Sequence, residues 1–231
     1  MSFLKCPACT AEVPVGMDYC PVCACPIDPN ERIKYFQIAR IGEIVVDNTP
    51  VLLDRPQRLI LQLIPSKAFD TSSKYNLTAI DKSHCASIYS SSFDFGRYEK
   101  DSFIAGVEST GIPRSSAYFQ IFTNGIIETV DTRVFDFREG VKLIDAETSE
   151  KGIVTAVSRY LQIYETLGID PPAVALICLI GVKGYAIGPK PQAGRSQIDR
   201  DAVFAPDIPI DDFKTRNIAK LLKPAFEVIF K

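Results

Sequence analysis

Four of the five cysteines in residues 6–25 form two Cys-x2-Cys pairs, Cys6 with Cys9 and Cys20 with Cys23, and ten residues separate the pairs. Two such pairs can direct four thiolates at one ion, and soft sulfur ligands in a tetrahedral arrangement favour Zn²⁺. Each pair reads Cys-Pro-x-Cys, and proline favours the tight turn that turns both sulfurs to one side. The pattern predicts one structural zinc ion whose ligand positions are all filled by protein, which argues against a catalytic zinc.

The other cysteines do not indicate a disulfide framework. The chain has seven cysteines, an odd number, in 231 residues, and its beginning shows no apolar export signal. Cys25 follows the second pair closely. It is interpreted as a small apolar residue beside the site, and the alternative is a fifth or exchanging ligand.

The segment between the two pairs, TAEVPVGMDY, has the alternation and the glycine of a short hairpin. With its flanking pairs it resembles the zinc ribbon family, and the resemblance covers residues 3–27. Ribbon turns often carry glycine after the second cysteine, where this chain has Thr10 and Ala24. The resemblance implies a small metal-stapled module.

Composition predicts one main domain and one small module. Of the residues, 46% are hydrophobic and 23% charged, and the net charge of −2 gives no general attraction to nucleic acid or anionic membranes. The proline-containing segment CPIDPNER is interpreted as a stiff linker, which divides the chain into residues 1–30 and 31–231. No apolar run is long enough to span a bilayer, so we expect a cytoplasmic protein without a membrane partner.

The main domain begins with apolar runs that predict strands, YFQIARIGEIVV at residues 35–46 and RLILQLIP at residues 58–65. Two alternating runs around Asn124-Gly125 predict a hairpin with a two-residue type I′ loop. That register pairs Ile121 with Glu128 and places Phe119, Ile121, Ile126 and Val130 on one apolar face. Glu128 is then either part of a site or, as favoured here, a rim residue that reaches solvent.

The regular spacing of apolar residues predicts two helices. The first runs from Thr148 or Ser149 to Leu167 and ends at Gly168, and the second lies near the C-terminus and contains Pro224. Between them, AVALICLIGV predicts a buried strand. The order of strands, helix, strands and helix predicts an α+β domain with a largely antiparallel sheet and two packed helices, preceded by the small zinc ribbon.

Several of these segments also resemble a known family. RLILQLIPSKAFD, YFQIFTNGIIETVD, RYLQIYETLGIDPPAVALICLIGVKGYAIG, IDRDAVFAPDIPI and LLKPAFEVIF are similar to the region that follows the AlbA-like, Schlafen-type DNA-binding domain in prokaryotic proteins. The resemblance covers most of residues 55–230 and consists of core and turn residues. It implies a bacterial or archaeal accessory domain that accompanies nucleic-acid or nucleotide modules in regulation or defence, and it assigns no functional residue.

Catalytic patterns are weak. His84 adjoins Cys85, but neighbours on an extended strand point to opposite faces, which argues against a Cys-His dyad. A group of aspartates suggests either Mg²⁺ ligands or, as favoured here, scattered loop and cap residues: Asp199, Asp201, Asp207, Asp211 and Asp212. The sequence therefore predicts a protein that is not an enzyme, with a metal-dependent hydrolase as a minor alternative.

The loop of residues 183–200 is the strongest candidate site apart from the metal. It is rich in glycine and proline and carries Tyr185 together with four cations, Lys183, Lys190, Arg195 and Arg200. Such a composition can contact phosphates or stack on a single strand, whereas the favoured interpretation is a solvated loop.

The sequence thus predicts a cytoplasmic, non-enzymatic interaction protein whose zinc ribbon docks a protein partner. Residues 1–30 carry Lys5 against Glu12, Asp18 and Asp28, a balance unsuited to phosphate contacts. The alternative is a nucleic-acid-binding or processing factor that uses the loop of residues 183–200. Exposed apolar residues of the ribbon are the docking candidates: Phe3, Val13, Val15 and Val22.

Overall fold

A computed structural model describes residues 3–6, 8–70, 73–89, 92–190 and 196–231. Its N-terminal part contains a two-stranded antiparallel sheet, with Leu4 paired to Val13. The strands are β1 (Phe3–Lys5) and β2 (Glu12–Pro14). The first cysteine pair lies in the connection between β1 and β2 and the second pair follows β2, whereas the sequence predicted the hairpin between the two pairs.

Helix α1 (Pro29–Val45) occupies the segment for which a linker and a strand were predicted. Asp28 is the N-cap and accepts hydrogen bonds from the backbone N–H groups of Asn30 and Glu31, while Pro29 takes a first-turn position that suits its fixed φ. The strand prediction for residues 35–46 is therefore wrong. The predicted domain boundary at residue 30 lies in the first turn of this helix.

The main sheet has eight strands, and all of its pairs are antiparallel. Its strands are β3 (Arg58–Pro65), β4 (Phe95–Tyr98), β5 (Ser102–Glu108), β6 (Ser115–Phe122), β7 (Ile127–Asp131), β10 (Ala173–Ile180), β12 (Ala202–Phe204) and β13 (Ile208–Ile210). Their order is β12-β10-β3-β7-β6-β5-β4, with β13 also paired to β10. A second sheet of three strands comprises β8 (Phe135–Arg138), β9 (Val141–Ile144) and β11 (Ala186–Ile187).

Helices cover both faces of the main sheet. Helices α2 (Ala146–Leu167) and α3 (Ile218–Ile229) pack on one face, in a cluster that includes Leu61, Phe119 and Tyr160. On the opposite face, Ile41 and Ile44 of α1 pack against strand residues. The α+β prediction is confirmed, with three helices among the described residues instead of the two expected.

The caps explain why α2 was predictable. Asp145 accepts a hydrogen bond from the Thr148 N–H at the start, and Gly168 ends the helix at φ +66°. Helix α3 runs through Pro224 as a single helix. None of the helices described here combines the length and the apolar character needed to cross a bilayer.

The β6–β7 hairpin differs from its prediction by one residue. Ile121 pairs with Ile127, so the connection is the three-residue Thr123–Gly125 with Gly125 at φ +87°. A three-residue loop with a left-handed glycine shifts the register relative to a two-residue turn. Glu128 consequently pairs with Gln120, and the residues of the predicted apolar face divide among three core clusters.

Candidate metal centre

Two equivalent backbone turns hold the cysteine pairs. In the first, the Cys6 N–H donates to the Ala11 carbonyl over 2.8 Å and the Thr10 N–H donates to Cys6 over 2.9 Å. In the second, the Cys20 N–H donates to Cys25 over 2.9 Å and the Ala24 N–H donates to Cys20 over 2.8 Å. The two turns therefore have the same pattern of backbone hydrogen bonds.

Both turns place a residue with a side chain in the left-handed region. Thr10 has φ +62° and Ala24 has φ +58°. These are the two positions at which ribbon turns often carry glycine, and the left-handed conformation costs an L-residue about 1–2 kcal/mol. The turn geometry is kept without the residue that favours it, so the surrounding contacts must compensate for the strain.

The four sulfurs are arranged for one tetrahedral ion. All lie within 4.8 Å of one another, and the Sγ–Sγ distances are 3.7 Å for Cys6–Cys23 and 3.6 Å for Cys9–Cys20. A tetrahedral ion with metal–sulfur bonds of about 2.3 Å requires edges of about 3.8 Å. Within the described ranges this is the one group of three or more side chains that can hold a metal. The predicted ligands thus form a site that fits a metal ion.

The electrostatics of the site depend on the same turns. Burial opposes ionisation of Cys20, but hydrogen bonds from the backbone N–H groups of Cys23 and Val22 and from the Cys9 thiol lower its pKa to about 7. At Cys9 a hydrogen bond from the Ala11 backbone N–H also lowers the pKa of the thiol. Burial and the other three thiols outweigh it and raise the pKa to about 12. Four thiols so close together cannot all ionise without a cation between them.

Cys25 lies beside this group and is not one of its members. Its Sγ is 3.5 Å from the Pro26 carbonyl, and burial is the main cause that raises the pKa of its thiol. The ribbon packs around Cys6, Val13 and Cys20, with Cys25 at the edge. This placement fits the interpretation of Cys25 as a small packing residue.

The surface of the ribbon carries large apolar side chains. Phe3 is 54% exposed, Val15 59% and Val22 71%, and Met17 and Tyr19 are also exposed. Val13, by contrast, is fully buried beneath the cysteines. Val13 was predicted as a docking residue, and this was wrong because its side chain forms the small core of the ribbon.

The loop of residues 183–200 contains exposed cations without an exposed aromatic ring. Lys183, Lys190 and Arg200 are exposed, and Arg195 lies outside the described residues. Tyr185 is only 6% exposed, with its ring 5.3 Å from that of Phe135. The prediction that Tyr185 stacks on a ligand is therefore corrected, because the ring belongs to the core.

The remaining residues that the sequence suggested for catalysis or metal binding do not come together in a site. His84 ends a short 3-10 helix, Lys82–His84, and among the described residues no hydrogen bond joins it to Cys85. Cys85 is buried, which raises the pKa of its thiol to about 12 and disfavours a nucleophilic thiolate. The five aspartates between residues 199 and 212, all of them described, form no metal-binding group.

Glu128 is a buried residue that the sequence placed at a rim. It is completely buried, and three side chains donate hydrogen bonds to it: Arg40 at 2.9 Å, Gln62 at 2.8 Å and the Tyr118 hydroxyl at 2.7 Å. Burial would lower the pKa of Arg40, but the Glu128 carboxylate raises it above its ordinary value. Because each carboxylate oxygen has partners inside the protein, the cluster has a structural role.

Comparison with known proteins adds no relative: no family model, no curated protein and no solved structure matches this chain. The similarity to the region after the AlbA-like domain therefore stays a prediction.

Proposed function

We propose that this protein is a non-enzymatic, cytoplasmic zinc-binding interaction protein whose N-terminal ribbon docks a protein partner. The observation that carries the proposal is the combination of a closed four-cysteine site with exposed Phe3, Val15 and Val22. A module of this size cannot bury such side chains itself, and contiguous exposed apolar surface typically marks an interaction site. The metal would keep this surface in shape.

Zinc is the ion that suits the donor set best. Four sulfurs at 3.6–3.7 Å along two edges leave no open coordination position for water or substrate. Zinc accepts tetrahedral thiolate coordination and has no redox chemistry, so it stabilises structure without adding reactivity. The residues of the ribbon would then be ordered by binding the ion.

Charge favours a protein partner over nucleic acid at this surface. Lys5 is opposed by the exposed Glu12 and Asp18, and a zinc ion with four thiolates adds a charge of about −2. Phosphate contacts need clustered lysine and arginine, which the ribbon lacks. The resemblance to a prokaryotic accessory domain suggests a role in regulation or defence.

The test compares affinity capture by the intact chain with capture by Phe3→Asp and Val15→Asp variants. Both variants should lose the captured protein while keeping their metal, because these side chains lie on the surface of the ribbon. The matched control is Ile112→Asp, which changes an apolar residue outside the ribbon, between β5 and β6, that is 47% exposed. It should capture normally.

Variants that neutralise the loop cations at residues 183, 190, 195 and 200 distinguish protein docking by the ribbon from the alternative function, nucleic-acid binding by the loop. If the ribbon docks a protein partner, these variants should capture that partner nearly as well as the wild type. Capture that is lost with these charges, depends on salt, and is unchanged in Phe3→Asp would instead indicate a nucleic-acid-binding function.

A further inference from the structure

A groove runs along α2 from Thr148 to Arg159, distant in sequence from the ribbon. It has a volume of about 300 Å³, and α2 forms one wall while the irregular segment 86–89 forms the other. Its lining includes Ser87, Ile88, Lys151, Gly152, Thr155 and Arg159. We call it the α2 groove.

Specific contacts fix the walls of the α2 groove. A Cβ on Gly152 would lie 2.4 Å from the Ile88 carbonyl oxygen, so only glycine allows the segment to approach the helix this closely. The Tyr160 hydroxyl donates to the Ala86 carbonyl over 2.5 Å, and the Tyr89 hydroxyl lies 2.8 Å from Ser149 Oγ. Glycine inside a helix is unfavourable by about 1 kcal/mol relative to alanine, which the docked segment must offset.

All the charged side chains that line the α2 groove are positive. Its two charged lining residues are Lys151 and Arg159, and no acidic residue lines it. Lys151 Nζ contacts Glu147 at 2.6 Å, which leaves two of its three donors. Arg159 forms no ion pair with another residue of the described chain.

Ser87 supplies a buried donor. It is 3% exposed, and its Oγ accepts a hydrogen bond from Arg133 Nη2 over 2.6 Å. The hydroxyl hydrogen of Ser87 has no acceptor among the described residues. By contrast, the Thr155 hydroxyl already donates to the Lys151 carbonyl over 2.8 Å. The α2 groove therefore presents the Ser87 hydroxyl donor and two cations, of which Lys151 is already paired with Glu147. These groups suit a ligand with several hydrogen-bond acceptors.

We propose that the α2 groove binds a phosphate group, with Arg159, Lys151 and Ser87 as its donors. Phosphate oxygens accept several charge-assisted hydrogen bonds at once, and guanidinium matches their geometry. The volume exceeds that of a single inorganic phosphate, and Ala86 and Ile88 provide apolar contacts for a small organic group. The ligand class is therefore a small phosphate ester or the free anion. This site is independent of the ribbon and of its docking function.

The experiment titrates the full, metal-loaded chain with inorganic phosphate and with phenyl phosphate by isothermal calorimetry. Saturable binding is expected for the wild type, and Arg159→Gln should weaken it about tenfold or more, the effect of losing one charged hydrogen bond. Thr155→Glu, on the exposed side of the helix, should abolish it because the new carboxylate pairs with Lys151 and Arg159. The matched control Arg216→Gln removes an exposed cation elsewhere and should bind normally.

Comparison of the two ligands shows whether the α2 groove is suited to a phosphate ester or to the free anion. Tighter binding of phenyl phosphate than of inorganic phosphate indicates an ester ligand, and equal binding indicates the free anion. If the wild type shows no saturable binding of either, or if Arg216→Gln weakens binding as much as Arg159→Gln, the proposal is overturned. Circular dichroism of each variant checks that the helix has folded.

Discussion

Arg40 of α1 and Glu128 of β7 form an ion pair that joins a helix to the centre of the main sheet. Arg40 Nη2 lies 2.9 Å from Glu128 Oε1, and the carboxylate is completely buried while the guanidinium is 12% exposed. Arg40 also contacts Glu43 at the surface, at 2.6 Å. One cation therefore links a buried acid and an exposed acid, and the two pairs should differ greatly in their contribution to stability.

Replacing Glu128 with glutamine should lower the free energy of unfolding by about 3–5 kcal/mol, because Arg40 would lose its buried counter-charge and keep only the exposed Glu43. Chemical denaturation measures the loss. Glu43→Gln is the matched control, and its loss should stay below about 1 kcal/mol because Glu43 is 49% exposed. Zinc content should be unchanged in both variants.

The double variant Arg40→Met with Glu128→Gln tests whether the charge left on Arg40 causes the loss of stability in Glu128→Gln. It should lose less stability than Glu128→Gln alone, since no unpaired charge remains in the interior. Equal losses in Glu128→Gln and Glu43→Gln would show that burial of the pair has no energetic importance.

The sequence predicted the parts of the fold in which local signals agree. Helix α2 has regular apolar spacing, the N-cap Asp145 and the C-terminal Gly168, and it was found with nearly correct ends. The four cysteines were also placed correctly, because metal-ligand spacing is itself a local pattern. In both cases the interactions that define the structure lie close together in the sequence.

The parts that were missed depend on longer-range contacts. Residues 35–46 combine β-branched residues with a helical repeat, and packing of Ile41 and Ile44 on the sheet selects the helix. The burial of Glu128 depends on the shift in the hairpin and on Arg40, which is 88 residues away. The α2 groove requires the docking of segment 86–89 at Gly152, which no short pattern indicates.

Replacing Cys9 with serine should abolish metal binding, because a hydroxyl is a poor substitute for a thiolate ligand. Elemental analysis of gently purified protein should give one zinc per wild-type chain and none in the variant. Cys25→Ser is the matched control and should keep the zinc, since Cys25 lies outside the four-sulfur group. Loss of zinc in Cys25→Ser would make Cys25 a ligand, and a wild type without metal would refute the site.

Replacing Ala24 with glycine should strengthen zinc binding about two- to fivefold. Glycine adopts the left-handed φ of +58° without steric cost, and this relief exceeds its larger entropy loss on folding by about 0.5–1 kcal/mol. Competition with a chromophoric chelator measures the change. Ala11→Gly makes the same substitution at a position without positive φ and should weaken binding or leave it unchanged. Tighter binding in Ala11→Gly than in Ala24→Gly would contradict the strain argument.

Removal of the metal should unfold the ribbon and leave residues 31–231 folded. The three apolar clusters around the main sheet contain residues from 33 onward, whereas the small cluster of the ribbon contains only residues between 4 and 27. No described residue belongs to both cores, so the main domain should keep its own cooperative transition. The melting curve of the chelated wild type should overlay that of Cys9→Ser, with its main transition within a few degrees of the zinc-loaded protein. A single transition that collapses on chelation would show that the metal stabilises the main sheet as well, and that the boundary near residue 30 does not separate two domains.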